Sequence, residues 1–435
     1  MRDLIEPRVL KGFRDFLPEK EAQRLSILRR LEEVFRLCGF SPIDTPVLEY
    51  SEVLLGKGGG ETDKQVYRFK DHGDRDVALR FDLTVPFARF MAAHLSELPL
   101  PFRRWHGAKV WRGENTQRGR YREFMQVDFD IVGPDSASAD LEILLLMRRC
   151  MRTLGMDRST IHFAHRGVFN AFIAGLGLES RTVEVLRTID KARKVGQEKT
   201  LESLEETVGA ANAGRIARFI QPEKSWKITL EKLHEMVGPA DEGVKRLSEI
   251  CSGLDELGLQ AHYALDPSIT RGLDYYTGVV FETFLSDLPA IGSVCSGGRY
   301  NDLASLYTHQ RLPGVGASIG IDRLMAAIEE LGLAASVTSA PSLLVACLEE
   351  RLLGKYHHVA EVFRETGIAS EVYPEQKKLA VQFAYAEKRG IPLALVMGEK
   401  EESEGVVGLK DLRSRQSWDG LTLESATGKA KELLR

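Results

Sequence analysis

Apolar residues recur every three to four positions near the start of the chain. This spacing predicts a helix that begins at Pro18 and ends at Gly39, where a left-handed cap is tolerated. Residues 43–49 lack that spacing and are typical of an extended segment. Pro46 within it has no N–H to donate to a central sheet ladder, which favours an edge or interface strand.

Strand patterning dominates from Val77 to Val132. It is clearest at residues 124–131, where apolar and polar positions alternate. Alternate side chains of a strand point to opposite faces, so the apolar set predicts a core face. The polar set, Gln126, Asp128 and Asp130, predicts a second face that either meets water or binds something.

The residue pattern changes twice in the middle of the chain. Helical spacing returns at residues 135–154, and residues 172–262 are charged, helical and poor in aromatics. We interpret the second stretch as an inserted helical domain. Strand patterning resumes at residues 275–285. The glycine-rich stretch 314–320 then opens into a helix over residues 321–331.

The last block has a pattern of its own. Small residues at 334–341 predict a linker, and residues 341–435 alternate strand and helix patterns. Such alternation predicts a small α/β domain with a largely parallel sheet. The expected fold is therefore an α+β core over residues 1–335 with an antiparallel sheet, interrupted by the insertion at 172–262, followed by an α/β domain at 341–435.

Composition narrows the class of protein. The 59 lysines and arginines nearly balance 63 acidic residues, so the net charge of −4 does not indicate a nucleic-acid binder, and any such function must rest on local charge. No apolar run approaches the roughly 18–20 residues of a membrane helix, and the N-terminus lacks a signal core. Five scattered cysteines exclude a disulfide framework and a cysteine zinc site. We expect a cytoplasmic protein.

Basic residues concentrate in the strand region. Between Arg103 and Glu123, seven lysines or arginines face two glutamates, a local balance of +5. A solvated basic loop is one interpretation and an anion-binding hairpin is the other. The hairpin is favoured because its charges continue into strands that also carry Gln126 and Asp130.

A third motif offers a different chemistry. Residues 316–320 match the GxSxG nucleophile elbow of serine hydrolases, with Ser318 as the nucleophile. That elbow needs a strand immediately before the serine, and the polar, proline-containing residues 309–314 do not predict one. The same glycines can instead let the backbone approach a nucleotide, with Arg323 on the following helix.

Taken together, these segments resemble the ordered motifs of class II aminoacyl-tRNA synthetases. Residues 39–49 resemble motif 1, which builds a dimer interface in that class. Residues 110–124 resemble motif 2, and residues 314–324 resemble motif 3. The segment Arg271-Gly272-Leu273-Asp274-Tyr275-Tyr276 is similar to the histidine motif of the histidyl-tRNA synthetase family. Residues 79–84 and 296–300 agree with that family. A non-catalytic, histidine-sensing regulatory relative is the alternative.

The resemblance implies roles in ATP binding and catalysis. Arg112 would hold the α-phosphate, Arg323 the γ-phosphate, and Arg271 the α-phosphate and the histidine carboxylate from the opposite side. These three are the expected catalytic residues, because a planar, permanently charged guanidinium suits a transferring phosphoryl group. Glu114 would fix the adenine. The remaining ATP-binding residues would be Arg122 and Phe124. Mg2+ would bridge the ATP phosphates, and no protein ligand for it is assigned.

The resemblance also implies a histidine pocket and partners. Asp82, Thr84 and Gln126 would take the α-amino group, while Asp130 and Tyr276 would grip the imidazole. Asp82 and Asp130 are one methylene shorter than the glutamates common in bacterial members. The remaining pocket residues would be Leu83, Arg112, Arg271 and Tyr275. The tRNA acceptor end would meet Gln117, Arg118 and Arg120. The last domain would read the anticodon of tRNA(His), and the chain would be a homodimer.

Overall fold

The computed structural model describes residues 4–56, 65–117, 119–238, 240–269, 275–333 and 339–434. It divides into two compact units. One comprises residues 1–16 and 24–334, and the other comprises residues 17–23 and 335–435. Arg271, Arg118 and most of the expected linker lie outside the described residues.

Strands and helices alternate irregularly along the first unit. Its strands are β1 (Ser41–Pro42), β2 (Leu48–Tyr50), β3 (Arg68–Lys70), β4 (Asp76–Leu79), β5 (Phe102–Trp111), β6 (Glu123–Val132), β7 (Ser159–His165), β8 (Tyr263–Leu265), β9 (Val279–Leu285), β10 (Cys295–Tyr300) and β11 (Gly314–Gly320). Its helices are α1 (Pro18–Leu37, of which residues 18–23 are assigned to the second unit), α2 (Ser51–Leu55), α3 (Thr84–His94), α4 (Ala137–Thr153), α5 (Arg166–Gly175), α6 (Thr182–Val195), α7 (Gln197–Val208), α8 (Ala210–Ile220), α9 (Trp226–Val237), α10 (Glu242–Glu256) and α11 (Ile321–Glu330).

A mixed sheet forms the centre of the first unit. Within the described residues it has eight strands in the order β1-β5-β6-β11-β10-β9-β7-β8. The pairs from β5 to β7 are antiparallel, whereas β1 on β5 and β8 on β7 are parallel. This confirms the expected α+β core. Strands β2, β4 and β3, in that order, form a separate and smaller sheet.

The alternation in β6 decides which face of the large sheet is buried in the core. Val127, Phe129 and Ile131 have no exposed surface, and the Phe129 ring lies 5.3 Å from that of Phe35 on α1. The polar residues of β6 point to the opposite face, as its period of two predicts. That face carries the candidate site.

Three sequence-based expectations were wrong in detail. Residues 84–94 form α3 rather than a strand, because a short helix that is apolar on most sides lacks a period. Residues 43–47 are irregular, and only Leu48 and Glu49 of the expected segment 43–49 belong to an edge strand, β2 of the small sheet. Pro46 lies outside that strand. Residues 314–320 form strand β11, although glycines and a preceding proline do not predict one.

The chain between β7 and β8 is helical, as its charged, aromatic-poor residue pattern predicts. Helices α5 to α10 occupy it, and apolar residues such as Phe219, Leu233 and Leu247 are buried there. This apolar set is continuous with the core under the large sheet. The insertion therefore packs as part of the first unit.

The second unit carries a sheet of its own. Its strands are β12 (Leu343–Val345), β13 (Ser370–Val372), β14 (Leu393–Val396), β15 (Val407–Asp411) and β16 (Ser417–Leu421). Its helices are α12 (Leu353–Glu365), α13 (Leu379–Arg389), α14 (Glu399–Glu404) and α15 (Leu423–Leu433). The order is β13-β12-β14-β15-β16, parallel across β13, β12 and β14 and antiparallel beyond, so the sheet is less parallel than expected. In the described part of the chain, no helix is long and apolar enough to cross a membrane.

Candidate active site

Strand register assembles the candidate site from residues far apart in sequence. Arg104 of β5 pairs with Asp130 of β6, which pairs with Gly316 of β11, which pairs with Gly298 of β10. One step along, His106, Asp128, Ser318 and Ser296 form a parallel row. Directly paired residues share a face, so both rows lie on the polar face.

Two glycines make room for the polar side chains above the sheet. A Cβ at Gly316 would lie 1.9 Å from Asp130 Oδ1, and one at Gly298 would lie 2.9 Å from Cδ1 of Tyr276. Both distances are shorter than real Cβ contacts, so a larger residue would displace the neighbour. Gly316 and Gly298 therefore give space to Asp130 and Tyr276.

Three carboxyl groups are buried together at this site. Asp82, Asp128 and Asp130 are at most 2% exposed. Burial raises the pKa of Asp130 to about 7 and that of Asp82 to about 6, and it also raises the pKa of Asp128. Arg104 opposes the shift at Asp130, with its Nη2 2.7 Å from Asp130 Oδ2.

Asp82 and Thr84 lie where the chain enters α3. The backbone N–H of Val85 donates to Asp82 Oδ1 at 3.1 Å, and the Tyr275 hydroxyl donates to Asp82 Oδ2 at 2.9 Å. The Thr84 hydroxyl donates to Asp128 Oδ2 at 3.4 Å. Leu83 is fully buried and contributes through its carbonyl, which accepts from Arg104 Nη2 at 3.3 Å.

Two tyrosines close the side of this pocket. The rings of Tyr275 and Tyr276 meet edge to face with centroids 5.0 Å apart. Burial raises the pKa of both hydroxyls, so both are protonated donors at neutral pH. Tyr300 joins them, and its hydroxyl donates to Asp130 Oδ1 at 2.7 Å.

Arg112 lies at the border of the pocket. Its Nε donates to the Phe81 carbonyl at 2.9 Å, and its Nη2 donates to Gln126 Oε1 at 3.4 Å. The guanidinium also sits 5.1 Å from the Phe124 ring centroid. Gln126 in turn donates from Nε2 to Ser318 Oγ at 2.6 Å. These contacts fix the direction of the guanidinium before any anion binds.

An open cavity of about 110 Å³ continues from Gln126 along the sheet. The candidate ATP residues that line it are Arg112, Glu114, Phe124 and Arg323. Arg323 donates from Nη1 to the Ser293 carbonyl. Burial and the nearby Arg120 lower the pKa of Arg323 to about 10, so it stays charged at neutral pH.

Residues near the N-terminus brace this cavity. Arg14 forms an ion pair with Asp322 of α11 and lies 3.8 Å from the ring centroid of Tyr121. The Arg122 N–H donates to the Gly12 carbonyl at 2.9 Å. The Arg122 side chain donates from Nε to the Glu114 carbonyl at 3.2 Å, so it supports the loop instead of lining the cavity.

The expected tRNA contacts lie at the hairpin tip between β5 and β6. Gln117 and Arg120 exchange backbone hydrogen bonds of 3.1 and 2.8 Å, which makes the tip tight. Arg120 Nη1 lies 3.8 Å from Glu114 Oε2. Arg120 thus lines the cavity as well, which links the tip to the candidate ATP site.

Ser318 lacks the surroundings of a hydrolase nucleophile. It lies inside β11, two residues before the strand ends, and not at the turn into α11. Its hydroxyl accepts from Gln126, and no described histidine hydrogen-bonds to it. A serine nucleophile needs such a base.

Sequence reasoning missed three residues of the pocket. Arg104 and Tyr300 both contact Asp130, and Asp128 lies beside it. The alternation of β6 had put Asp128 on the polar face, and pairing β5 with β6 as a hairpin would have placed Arg104 opposite Asp130. Tyr300 lies in the segment 296–300 that agrees with the family, but this glycine-rich strand has no side-chain pattern that would place Tyr300 at Asp130.

Comparisons with known proteins agree over most of the chain. A family model described as histidyl-tRNA synthetase matches residues 12–324, and one described as an anticodon binding domain matches residues 342–433. The chain is 49% identical to a histidine–tRNA ligase of Treponema denticola over 429 residues, with 95% of this chain and 96% of the relative covered. It is 46% identical to a histidine–tRNA ligase of Rhodopirellula baltica over 422 residues, with 96% of each covered. The crystal structure of histidyl-tRNA synthetase from Nostoc sp. PCC 7120 matches with a TM-score of 0.85 at 30% identity, covering 99% of this chain and 100% of that chain.

Proposed function

The chain belongs to the histidyl-tRNA synthetase family, and from this premise we propose that the polar face of its large sheet binds histidine and ATP side by side. Its activity is that of a histidine–tRNA ligase. ATP and histidine give histidyl-adenylate and pyrophosphate, and the adenylate then passes its histidyl group to tRNA(His). The observation that carries the proposed site is that Arg112 contacts Gln126 and lies near Asp82, while Asp82 in turn lies near Asp130.

The buried carboxyl pocket is the proposed histidine site. Asp82, Thr84 and Gln126 take the α-ammonium group, because they offer acceptors at the entrance to α3 and on β6. Asp130 and Tyr276 hold the imidazole, and Tyr275 and Leu83 shape the pocket. A pocket that hydrogen-bonds a substrate N–H rejects analogues without it, since its own buried groups would be left unpaired.

The open cavity is the proposed ATP site. Glu114 and Phe124 take the adenine end, Arg112 holds the α-phosphate, and Arg323 holds the γ-phosphate. Arg122 supports this site through the carbonyl of Glu114. A histidine carboxylate oxygen attacks the α-phosphorus, and the bond to the pyrophosphate oxygen breaks. Catalysis is then positioning and charge neutralisation, which fixed guanidinium groups supply. We propose the same neutralising role for Arg271.

Mg2+ is proposed as a companion of the ATP phosphates. In the described part of the chain, no group of three or more histidine, cysteine or acidic residues is placed to hold a metal ion. Mg2+ commonly binds through substrate phosphates, water and one or two carboxylates, so this site suits an ion carried by the triphosphate. It would add positive charge at the phosphates.

Transfer to tRNA needs contacts in both units. We propose that Gln117, Arg118 and Arg120 meet the acceptor end, because the hairpin tip adjoins the ATP cavity. Residues 1–335 would form the catalytic domain with its insertion at 172–262, and residues 341–435 would read the anticodon. The cytoplasm, where translation takes place, is the proposed location.

A homodimer is proposed from the small sheet. Exposed apolar side chains gather on it and just before it, at Val47, Leu48, Tyr50 and Phe69. Tyr50 and Phe69 both pair with Val77, so they share one face. A contiguous exposed apolar patch of this kind is typical of an interface.

The proposed function is tested by histidine-dependent exchange of pyrophosphate with ATP. We expect exchange with histidine and none with other amino acids. Arg112→Lys should lower the rate by about two to three orders of magnitude, because a lysine keeps the charge but loses the fork. Arg149→Lys, on the exposed side of α4, is the matched control. Histidine binding without exchange would favour the regulatory alternative.

A further inference from the structure

One buried arginine has no role in the site proposed above. The Arg104 side chain is fully buried, with its Cζ 4.3 Å from the Phe87 ring centroid. Its Nη2 donates to the Leu83 carbonyl, and its Nε and Nη1 have no hydrogen-bond partner among the described residues. Burying a charge this deeply is costly unless it is paired. Its close ionic partner is Asp130.

The contact with Asp130 is a charge contact without hydrogen-bond alignment. Nη2 of Arg104 lies 2.7 Å from Oδ2 of Asp130, yet that oxygen has no hydrogen-bond donor in the described residues. The other oxygen, Oδ1, accepts from Tyr300. Arg104 thus compensates the charge of Asp130 at Oδ2, and Tyr300 orients the carboxylate through Oδ1. Oδ2 keeps a lone pair for an incoming N–H.

Among the described residues, the two carboxyl groups nearest to Asp130 act against its ionisation. Asp128 lies on the same face of β6, and Asp82 lies at the entrance to α3. Tyr276 and Tyr300 face it as neutral hydroxyls. In the described part of the chain, Arg104 is the cation that opposes the effect of burial and of both carboxylates on the pKa of Asp130. Without it, Asp130 would hold its proton to higher pH.

We propose that Arg104 is a positioning residue that keeps Asp130 ionised, so that Asp130 can accept the imidazole N–H of histidine. The inference rests on the proposed role of Asp130. A protonated Asp130 would present a donor where the neutral imidazole also presents one. Arg104 therefore sets the pH range in which the pocket recognises histidine, without contacting histidine itself.

The test is the KM for histidine between pH 6 and 9, measured by pyrophosphate exchange. Arg104→Met should raise this KM at least tenfold at pH 7 and move the midpoint of its pH profile at least one unit to alkaline pH. The KM for ATP should stay within twofold. The ionisation of free histidine is the same for every variant, so a moved midpoint belongs to the enzyme. Buried His106, whose pKa is lowered to about 4 by burial and Arg104, titrates below this range.

Two further variants keep the inference falsifiable if Arg104→Met does not fold. Arg104→Lys retains the charge and should keep a midpoint near that of the wild type. Tyr300→Phe removes one hydroxyl donor and should move the midpoint by a smaller amount in the same alkaline direction. Arg103→Met is the matched control, because Arg103 immediately precedes Arg104 on β5 and lies on the other face. Its Nε is 2.8 Å from Oε1 of Glu142. It should change neither KM nor midpoint.

Asp130→Asn separates the possible failures. It should raise the KM for histidine and remove the Asp130 limb of the profile. If it does so while Arg104→Met and Tyr300→Phe leave the midpoint unmoved, the inference about Arg104 is wrong and the pocket stands. If Asp130→Asn leaves the KM for histidine unchanged, the proposed imidazole site is itself wrong.

Discussion

At the scale of residues, the pocket is notable for its excess of buried negative charge. Asp82, Asp128 and Asp130 face Arg104 and Arg112, so the described residues of the pocket include one more acidic group than basic groups. The raised pKa of each carboxyl follows from this imbalance and from burial. In the proposed histidine site, the ammonium group of the substrate would restore the balance. Substrate recognition and proton binding would therefore compete for the same carboxylates.

Asp82→Asn should make the unliganded protein more stable at pH 8. The folded-state pKa of Asp82 is about 6, above its ordinary value of 3.8, so the folded state holds this proton more tightly than the unfolded state. The wild type consequently loses stability as pH rises from about 4 to 6, by up to about 3 kcal/mol, and the amide removes that loss. Urea unfolding at pH 4 to 8 measures the difference.

Asp76→Asn provides a control of opposite sign. Arg68 lowers the pKa of Asp76 to about 2, so its stabilising contribution is present above about pH 4 and lost as pH falls toward 2. This variant should lose stability at neutral pH. An Asp82→Asn protein that loses stability relative to wild type as pH rises would contradict the burial argument.

At the scale of elements, the candidate site depends on strands that match side-chain size across neighbours. The sequence pattern identified the polar face of β6, and thus Gln126 and Asp130, because a period of two survives in a single strand. It could not identify β11, whose glycines carry no side-chain pattern. Pocket shape lies in the register between β6, β10 and β11, and the pairs of β6 with β11 join residues more than 180 positions apart. No local pattern encodes such a pairing.

Gly316→Ala should damage histidine binding through this register. The new Cβ would lie 1.9 Å from Asp130 Oδ1 and 2.7 Å from the Phe129 carbonyl, and the backbone atom cannot move aside. We expect a rise of at least tenfold in the KM for histidine and a loss of about 1–3 kcal/mol in stability.

Gly107→Ala is the matched control on the opposite face of β5. There the nearest atom to a new Cβ is Val127 Cγ2 at 3.4 Å, an ordinary contact. Kinetics and unfolding midpoints of the two variants give the comparison. Equal effects would mean that any added methyl group in this sheet is harmful and that Gly316 has no special relation to Asp130.

At the scale of the whole molecule, two units each have their own core. The second is filled by residues such as Tyr356, Phe363 and Leu395, all without exposed surface. The alternation of strands and helices predicted an α/β unit here, but it did not predict that β15 and β16 extend the sheet antiparallel. A second copy of the chain is a different matter. The proposed homodimer would depend on surface residues that no periodicity marks.

Phe69→Glu should shift the protein from dimer to monomer in sedimentation at micromolar concentration. A charge in the centre of an apolar interface must be desolvated without a partner. Leu257→Glu is the control, since Leu257 is similarly exposed at the end of α10. A wild-type protein that sediments as a monomer with full activity would refute the proposed dimer.

The position of β6 also matters while the chain is being made. Its neighbour β5 precedes it, but its other neighbour β11 starts about 180 residues later. At about 5–20 residues per second, a ribosome needs roughly 10–40 s to supply that partner. During this time the newly synthesised strand has an unpaired edge and carries the apolar residues Val127, Phe129 and Ile131, which together favour aggregation. Asp128 and Asp130 interrupt it with charge, so the carboxylates of the mature pocket also act as gatekeepers for the nascent chain.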